Sequence, residues 1–279
     1  YEITWRDWSS DVCSSDLSYR PINEHAANEN LLITGAGSRI GAALALGLAR
    51  PGLRIWVHYY SNAEGAERTC DEIRRRGGAA EAVCADLRDG AGIERMFTRI
   101  RASGRLIGLI HCAAVFFPSR LDTLTTADWD ELFSVNLRGA WLTARTAGAV
   151  ISEDARGGWI ILFSDSGARQ DWTSFGGYVL TKQAILGLTR LMAKTFAPRV
   201  RVNAISPGLI LKDSADGDRW SALSRRTLLE RPGEVDDLLQ AVRYLIGAAY
   251  VTGTELIVDG GYRFRRGADE PAAGKADGE

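Results

Sequence analysis

Residues 30–49 read as an apolar strand, a glycine-rich turn and a helix in immediate succession, a unit that restricts the fold severely. The strand is Asn30-Leu31-Leu32-Ile33-Thr34, and the turn is Gly35-Ala36-Gly37-Ser38-Arg39-Ile40-Gly41. An Ala/Leu-rich helix follows. Glycines let the backbone turn tightly and approach a ligand, and the free N–H groups at a helix start form the positive end of a dipole. Together they suit the pyrophosphate of a dinucleotide. A plain strand-to-helix turn is the structural alternative.

Strand and helix keep alternating beyond this unit. Apolar, β-branched runs at 54–58, 80–84, 106–111, 159–163, 200–205 and 255–258 read as strands. Helical periodicity fills 63–76, 89–101, 127–149, the stretch from Tyr178 to Phe196, and 234–248. Short connections between alternating elements predict an α/β fold: a single Rossmann-type, doubly wound parallel sheet of about seven strands with helices on both faces. That domain is expected to occupy residues 30–264. Residues 1–29 are expected to be a non-native or disordered extension, because the run DWSSDVCSSDL at 7–17 lacks apolar periodicity and looks like a translated sequencing adaptor; native sequence would begin near Tyr19 or later. The charged, Gly/Ala-rich residues 265–279 are expected to be a disordered tail.

Charge narrows the partners. The 279 residues carry 34 Lys and Arg against 35 Asp and Glu, a net charge of −1, which disfavours nucleic acid and anionic membranes. No apolar run approaches the ~18–20 residues of a membrane span, so a cytoplasmic protein is expected. Cys13, Cys70, Cys84 and Cys112 lack metal-ligand spacing and read as reduced thiols, with no metal site.

The candidate chemistry lies at strand ends. Tyr178 and Lys182 are one turn apart on one helix face, where an ammonium would lower the phenol pKa and make the hydroxyl a usable proton donor. Asp165 ends the preceding strand, where the loop can return its carboxylate to the phenol. Ser164 and Ser166 flank it but, by strand alternation, face the other way. After the second strand, Tyr60, Ser61 and Asn62 offer donors with no acid to repel a 2′-phosphate, and Arg39 adds charge; NADPH is expected over NADH. Asp86 can accept from an adenine amino group or cap the next helix. Cys112, Ala113 and Ala114 allow close approach after the fourth strand, and Phe116 and Phe117 are either a pocket wall or core. Asn136 needs partners for its amide in an otherwise apolar helix. The irregular stretch 209–229, with Asp213, Asp216, Asp218 and Trp220, reads as a mobile lid.

The glycine turn, Ala85-Asp86-Leu87, Asn136, Tyr178-x-x-x-Lys182, Ser206-Pro207-Gly208 and Val258-Asp259-Gly260-Gly261, in this order, resemble the short-chain dehydrogenase/reductase family. The resemblance implies that Tyr178 donates the proton, that Lys182 binds the nicotinamide ribose and tunes Tyr178, and that Asn136 orders a water relay. It implies cofactor contacts from Gly35, Ser38, Arg39, Ile40, Gly41, Tyr60, Ser61, Asn62, Asp86, Leu87, Cys112, Ala113, Pro207 and Gly208, besides Tyr178 and Lys182. A homotetramer joined through the helices at 127–149 and 175–196 is the expected assembly.

Three positions depart from the common family pattern: Asp165 stands where Ser is usual, Arg39 where Gly is usual, and His111-Cys112-Ala113-Ala114 replaces Asn-Asn-Ala-Gly. The first two are similar to the pteridine reductase and dihydromonapterin reductase branch. That likeness implies Arg39 reaching a pterin, Asp165 assisting Tyr178, Phe116 stacking on the pterin ring, and Ala114 beside it. NADPH-dependent reduction of a dihydropterin is therefore the expected activity. A ketone or 3-oxoacyl reductase is the alternative, and an NADP-sensing protein without turnover is the alternative from another class.

Overall fold

The computed structural model describes residues 29–212 and 217–264. The expected extension up to residue 28, the tail 265–279, and Asp213 and Asp216 of the expected lid lie outside the described residues.

Seven strands form one sheet: β1 Glu29–Thr34, β2 Leu53–Tyr59, β3 Ala79–Cys84, β4 Arg105–His111, β5 Gly158–Phe163, β6 Val200–Pro207 and β7 Glu255–Val258. They are joined by helices α1 Arg39–Leu48, α2 Ala63–Arg75, α3 Gly90–Ala102, α4 Thr126–Leu132, α5 Ala140–Ser152, α6 Gly176–Phe196, α7 Gly217–Ser224 and α8 Val235–Gly247. All neighbouring strands are parallel, in the order β3-β2-β1-β4-β5-β6-β7. Parallel pairing requires crossovers, which the intervening helices supply.

The sheet is buried on both faces because each central strand is apolar at odd and even positions. Leu31, Ile33, Ile55 and Val57 pack with α1, α2 and α8 on one side. Leu32, Trp56, Leu109, Ile160 and Leu162 pack with α3, α5 and α6 on the other. Side chains such as Leu32 and Ile33, wholly shielded from solvent, contribute about 1.5–3 kcal/mol each. The chain winds outward from β1 to β3 and returns to lay β4 against β1. Thr34 pairs with His111 at the carboxyl ends of those two strands. This reversal opens a crevice beyond them, where α/β sheets bind ligands.

Three expectations about boundaries are corrected. Glu29 belongs to β1 rather than to the extension: its carboxylate is buried between Arg50 at 3.3 Å and Arg105 at 3.0 Å. The helical stretch at 127–149 is interrupted by a π-helical turn, Phe133–Gly139, which separates α4 from α5. The stretch at 209–229 contains α7, so part of the expected lid, including Asp218 and Trp220, is helical. Among the described residues no helix is long and apolar enough to cross a membrane.

Candidate active site

The end of β5 and the start of α6 hold the reactive side chains. Asp165 caps a short 3₁₀ turn, its Oδ1 accepting from the Gly167 N–H at 2.7 Å. Its Oδ2 accepts from the Tyr178 hydroxyl at 2.8 Å. Ser164 points away, donating to the Lys182 carbonyl at 2.8 Å, as strand alternation requires. The first turn of α6 is tied down by Ser119, whose Oγ accepts from the Tyr178 N–H at 3.2 Å and whose carbonyl accepts from Gly177 N–H at 2.9 Å.

Lys182 lies one turn beyond Tyr178, but its ammonium does not meet the phenol oxygen. Nζ donates to the Phe163 carbonyl at 3.0 Å and sits 5.6 Å from the centre of the Tyr178 ring. The expected lowering of the Tyr178 pKa is therefore overturned. Burial, and then the Asp165 carboxylate beside it, hold the phenol well above its usual value. Burial likewise pushes the Asp165 carboxyl up, against the opposing pull of the Gly167 N–H, Tyr178 and Lys182. It pushes the Lys182 ammonium down, against Asp165 and Cys112. The site thus keeps the proton on its phenol, as a donor requires, and shifts its carboxyl toward the protonated form.

Asn136 sits in the π-helical turn, and its amide is fully used. Oδ1 accepts from Val115 N–H at 2.8 Å, and Nδ2 donates to the Val115 carbonyl at 3.0 Å and to Thr181 Oγ1 at 3.3 Å. It clamps the segment after β4 to α6. That segment carries Phe116, which is 57% exposed and therefore wall rather than core. Phe116 stacks on Phe175 at 4.6 Å and presents an edge to Tyr178 at 4.8 Å. Phe117 packs instead against the small cluster around Leu132, Tyr178 and Val179.

A cleft of about 430 Å³ runs from this wall across the carboxyl ends of β1 and β4. Gly35, Ser38, Arg39, Ile40, Gly41, Tyr60, Ser61, Asn62, Asp86, Leu87, Cys112, Ala113, Ala114 and Phe116, all expected from sequence, line it. Pro207 and Gly208 lie apart, at the join of β6 and β7, where Gly208 N–H donates to the Val258 carbonyl at 2.9 Å. The cleft fits a dinucleotide. Gly35 has φ +65°, and a Cβ there would stand 2.9 Å from Ala113 Cα, so only glycine permits this turn. Ser38 caps α1 without a side-chain hydrogen bond, and α1 presents its first N–H groups to the cleft.

Several side chains have different duties from those expected. Asn62 caps α2: its amide donates to the Gly37 carbonyl at 3.1 Å and accepts from Gly65 N–H at 3.0 Å, so it braces the glycine turn. Asp89, not Asp86, caps α3, accepting from Ala91 and Gly92 N–H. Arg39 donates to the Leu211 carbonyl at 3.3 Å, linking the turn to the lid segment. Burial pushes the Cys112 thiol up, so it stays protonated. The sequence reading missed His58, which bridges the glycine turn to the end of β3. Its Nδ1 accepts from Gly35 N–H at 3.2 Å and its Nε2 faces the Ala85 carbonyl at 3.0 Å. It also missed Arg88, directly after Asp86-Leu87, which lines the cleft as a charge at a strand end.

Known proteins share this fold. The profile of a family described as Enoyl-(Acyl carrier protein) reductase matches residues 35–263. The D-threitol dehydrogenase of Mycolicibacterium smegmatis is 31% identical over 242 residues, covering 84% of this chain and 92% of that protein. The 3-oxoacyl-(acyl-carrier-protein) reductase FabG of Staphylococcus aureus is 30% identical over 240 residues, covering 84% and 97%. A short-chain type dehydrogenase/reductase from Mycobacterium ulcerans superposes with a TM-score of 0.80 at 29% identity, over 86% of this chain and 91% of that one. On this sheet, this crevice and these matches, the chain belongs to the short-chain dehydrogenase/reductase family and is an oxidoreductase.

Proposed function

We propose that this protein is an NADPH-dependent reductase of a ketone or 3-oxoacyl group, with Tyr178 passing the proton to the carbonyl oxygen. The observation that carries this reading is the buried Tyr178–Asp165 pair, joined at 2.8 Å. A bound nicotinamide supplies the hydride to the carbonyl carbon. Tyr178, protonated well above neutral pH, gives its proton to the oxygen and completes the alcohol. Asp165 occupies the place where a serine hydroxyl is usual. Below its pKa, which burial raises, its carboxyl offers an O–H as a second donor to the developing negative charge. Lys182, tied to the Phe163 carbonyl, holds its amino group beneath the pair. The relatives, which include a 3-oxoacyl-(acyl-carrier-protein) reductase and a D-threitol dehydrogenase, favour carbonyl and alcohol chemistry.

Reduction of a C=N bond in a dihydropterin is the second reading. It is favoured by a carboxyl at position 165 and by the flat Phe116–Phe175 stack, whose outer ring is 57% exposed. A pterin offers N–H donors to an ionised carboxylate, whereas a ketone offers only an acceptor.

NADPH preference is supported by the loop after β2, which carries no acid, and by the arginines on the cleft. The assembly proposed is a homotetramer joined through α5 and α6, where Trp141 and Leu191 stand exposed. Transfer from NADPH carrying deuterium at both nicotinamide C4 positions tests the reaction class. Deuterium on the carbinol carbon of a reduced 3-oxoacyl thioester is expected; product without label would overturn it.

A further inference from the structure

One cation at the adenosine end of the cleft has a role that the glycine turn does not explain. Arg88 follows Asp86 and Leu87 at the end of β3. Its Nε donates to Asp86 Oδ1 at 2.9 Å and its Nη2 to Asp86 Oδ2 at 2.8 Å. Nη1 donates to Glu131 Oε2 at 2.7 Å, and Nη2 also donates to the Tyr60 hydroxyl at 3.1 Å. The guanidinium carbon lies 5.4 Å over the Tyr60 ring. One positive charge thus faces two carboxylates.

Two other expected donors at this end are engaged within the protein. Asn62 spends its amide on the Gly37 carbonyl and Gly65 N–H, and Arg39 reaches the Leu211 carbonyl of the lid segment. Arg88 is a cation held at Tyr60, beside the end of β2 where a ribose would lie. Of its two carboxylate partners, Asp86 is fixed: it sits two residues away and also accepts from the Arg88 N–H at 2.9 Å. Glu131 comes from α4 across the cleft, and its side chain is 39% exposed. It can turn to solvent without disturbing the fold.

We propose that Arg88 reads the ribose 2′-phosphate of the cofactor by exchanging its Glu131 partner for the phosphate, while Asp86 keeps the other edge of the guanidinium in place. The proposal rests on the NADPH reading above. A phosphate monoester carries roughly −1.5 to −2 charges and three acceptor oxygens, and a planar guanidinium already oriented by Asp86 meets two of them with little loss of freedom. Glu131 then acts as a stand-in counter-ion that occupies Nη1 without the phosphate and competes with it for that position.

The test is calorimetric binding of adenosine 2′,5′-bisphosphate and adenosine 5′-monophosphate, fragments that differ only in the 2′-phosphate. Wild type is expected to prefer the bisphosphate by about tenfold or more. Arg88→Gln should remove most of that preference and leave monophosphate affinity within about twofold; Glu131→Gln should raise bisphosphate affinity several-fold and leave the monophosphate unchanged. A preference that survives Arg88→Gln, or a loss equal for both fragments, overturns the assignment. Should Arg88→Gln fail to fold, an unchanged preference in Glu131→Gln overturns it by itself. A wild type without preference sinks the NADPH reading, and this proposal with it.

Discussion

Tyr178 and Asp165 are joined by a 2.8 Å hydrogen bond in which the phenol donates, although they stand on different elements, the start of α6 and the end of β5. The bond is sheltered by Phe116 and Phe175 on one side, and by Lys182 beneath. In the proposed reaction a substrate oxygen takes the place of the Asp165 oxygen as acceptor of this proton.

Tyr178→Phe removes that proton and keeps the ring, so reduction should fall by about 10²–10⁴-fold. NADPH affinity should stay within about threefold, because Lys182 holds the Phe163 carbonyl independently of the hydroxyl. Steady-state rates beside a binding titration check both.

Asp165 separates the two substrate readings through pH. Its carboxyl is raised by burial, so as a donor to a carbonyl it works below its raised pKa, and the rate should decline as pH rises through that value. Asp165→Ser and Asp165→Asn supply donors that do not titrate there; both should retain carbonyl reduction and lose that decline. In pterin reduction an ionised carboxylate is needed, so the rate would rise over the same range and Asp165→Asn would cost about 10²-fold. Rate–pH profiles of the three proteins decide the matter.

Two buried histidines should make the fold acid-sensitive. Burial lowers His58 from 6.5 to about 4 and His111 from 6.5 to about 3. Between those limits the unfolded chain binds protons that the folded chain refuses. Their stabilisation is complete above pH 6.5 and is lost as pH falls, at about 1.4 kcal/mol per histidine per pH unit. Urea denaturation at pH 7 and pH 5 should show the loss, and His58→Gln should halve it.

A homotetramer predicts that light scattering at micromolar concentration gives four times the chain mass. Trp141→Glu on α5, where Trp141 is 40% exposed, should release smaller species. A wild type that scatters as a monomer would contradict the assembly.

Much of this was legible in sequence. The strand, glycine turn and helix read at 30–49, found at 29–48, and the parallel sheet follow from periodicity and glycine placement, because backbone sterics act locally. The position of Asp165 followed from alternation. The electrostatics did not. Spacing puts Lys182 beneath Tyr178 but cannot show that the last carbonyl of β5 claims its ammonium. Asn62 looked available because the Gly37 carbonyl that engages it comes from a turn 25 residues earlier. Arg88 was invisible as a network because Glu131 lies 43 residues away. The π-helical turn has no local signature; it places Asn136 where its amide satisfies the Val115 backbone.

The central claim is carbonyl reduction by NADPH, and the direct measurement is kcat/KM for NADPH oxidation by the wild-type protein with a 3-oxoacyl thioester and with a dihydropterin, side by side. The account predicts at least about a tenfold advantage for the thioester, the roughly 1.4 kcal/mol that one donor bond to its oxygen provides. A larger value for the dihydropterin would contradict it and transfer the site to the second reading.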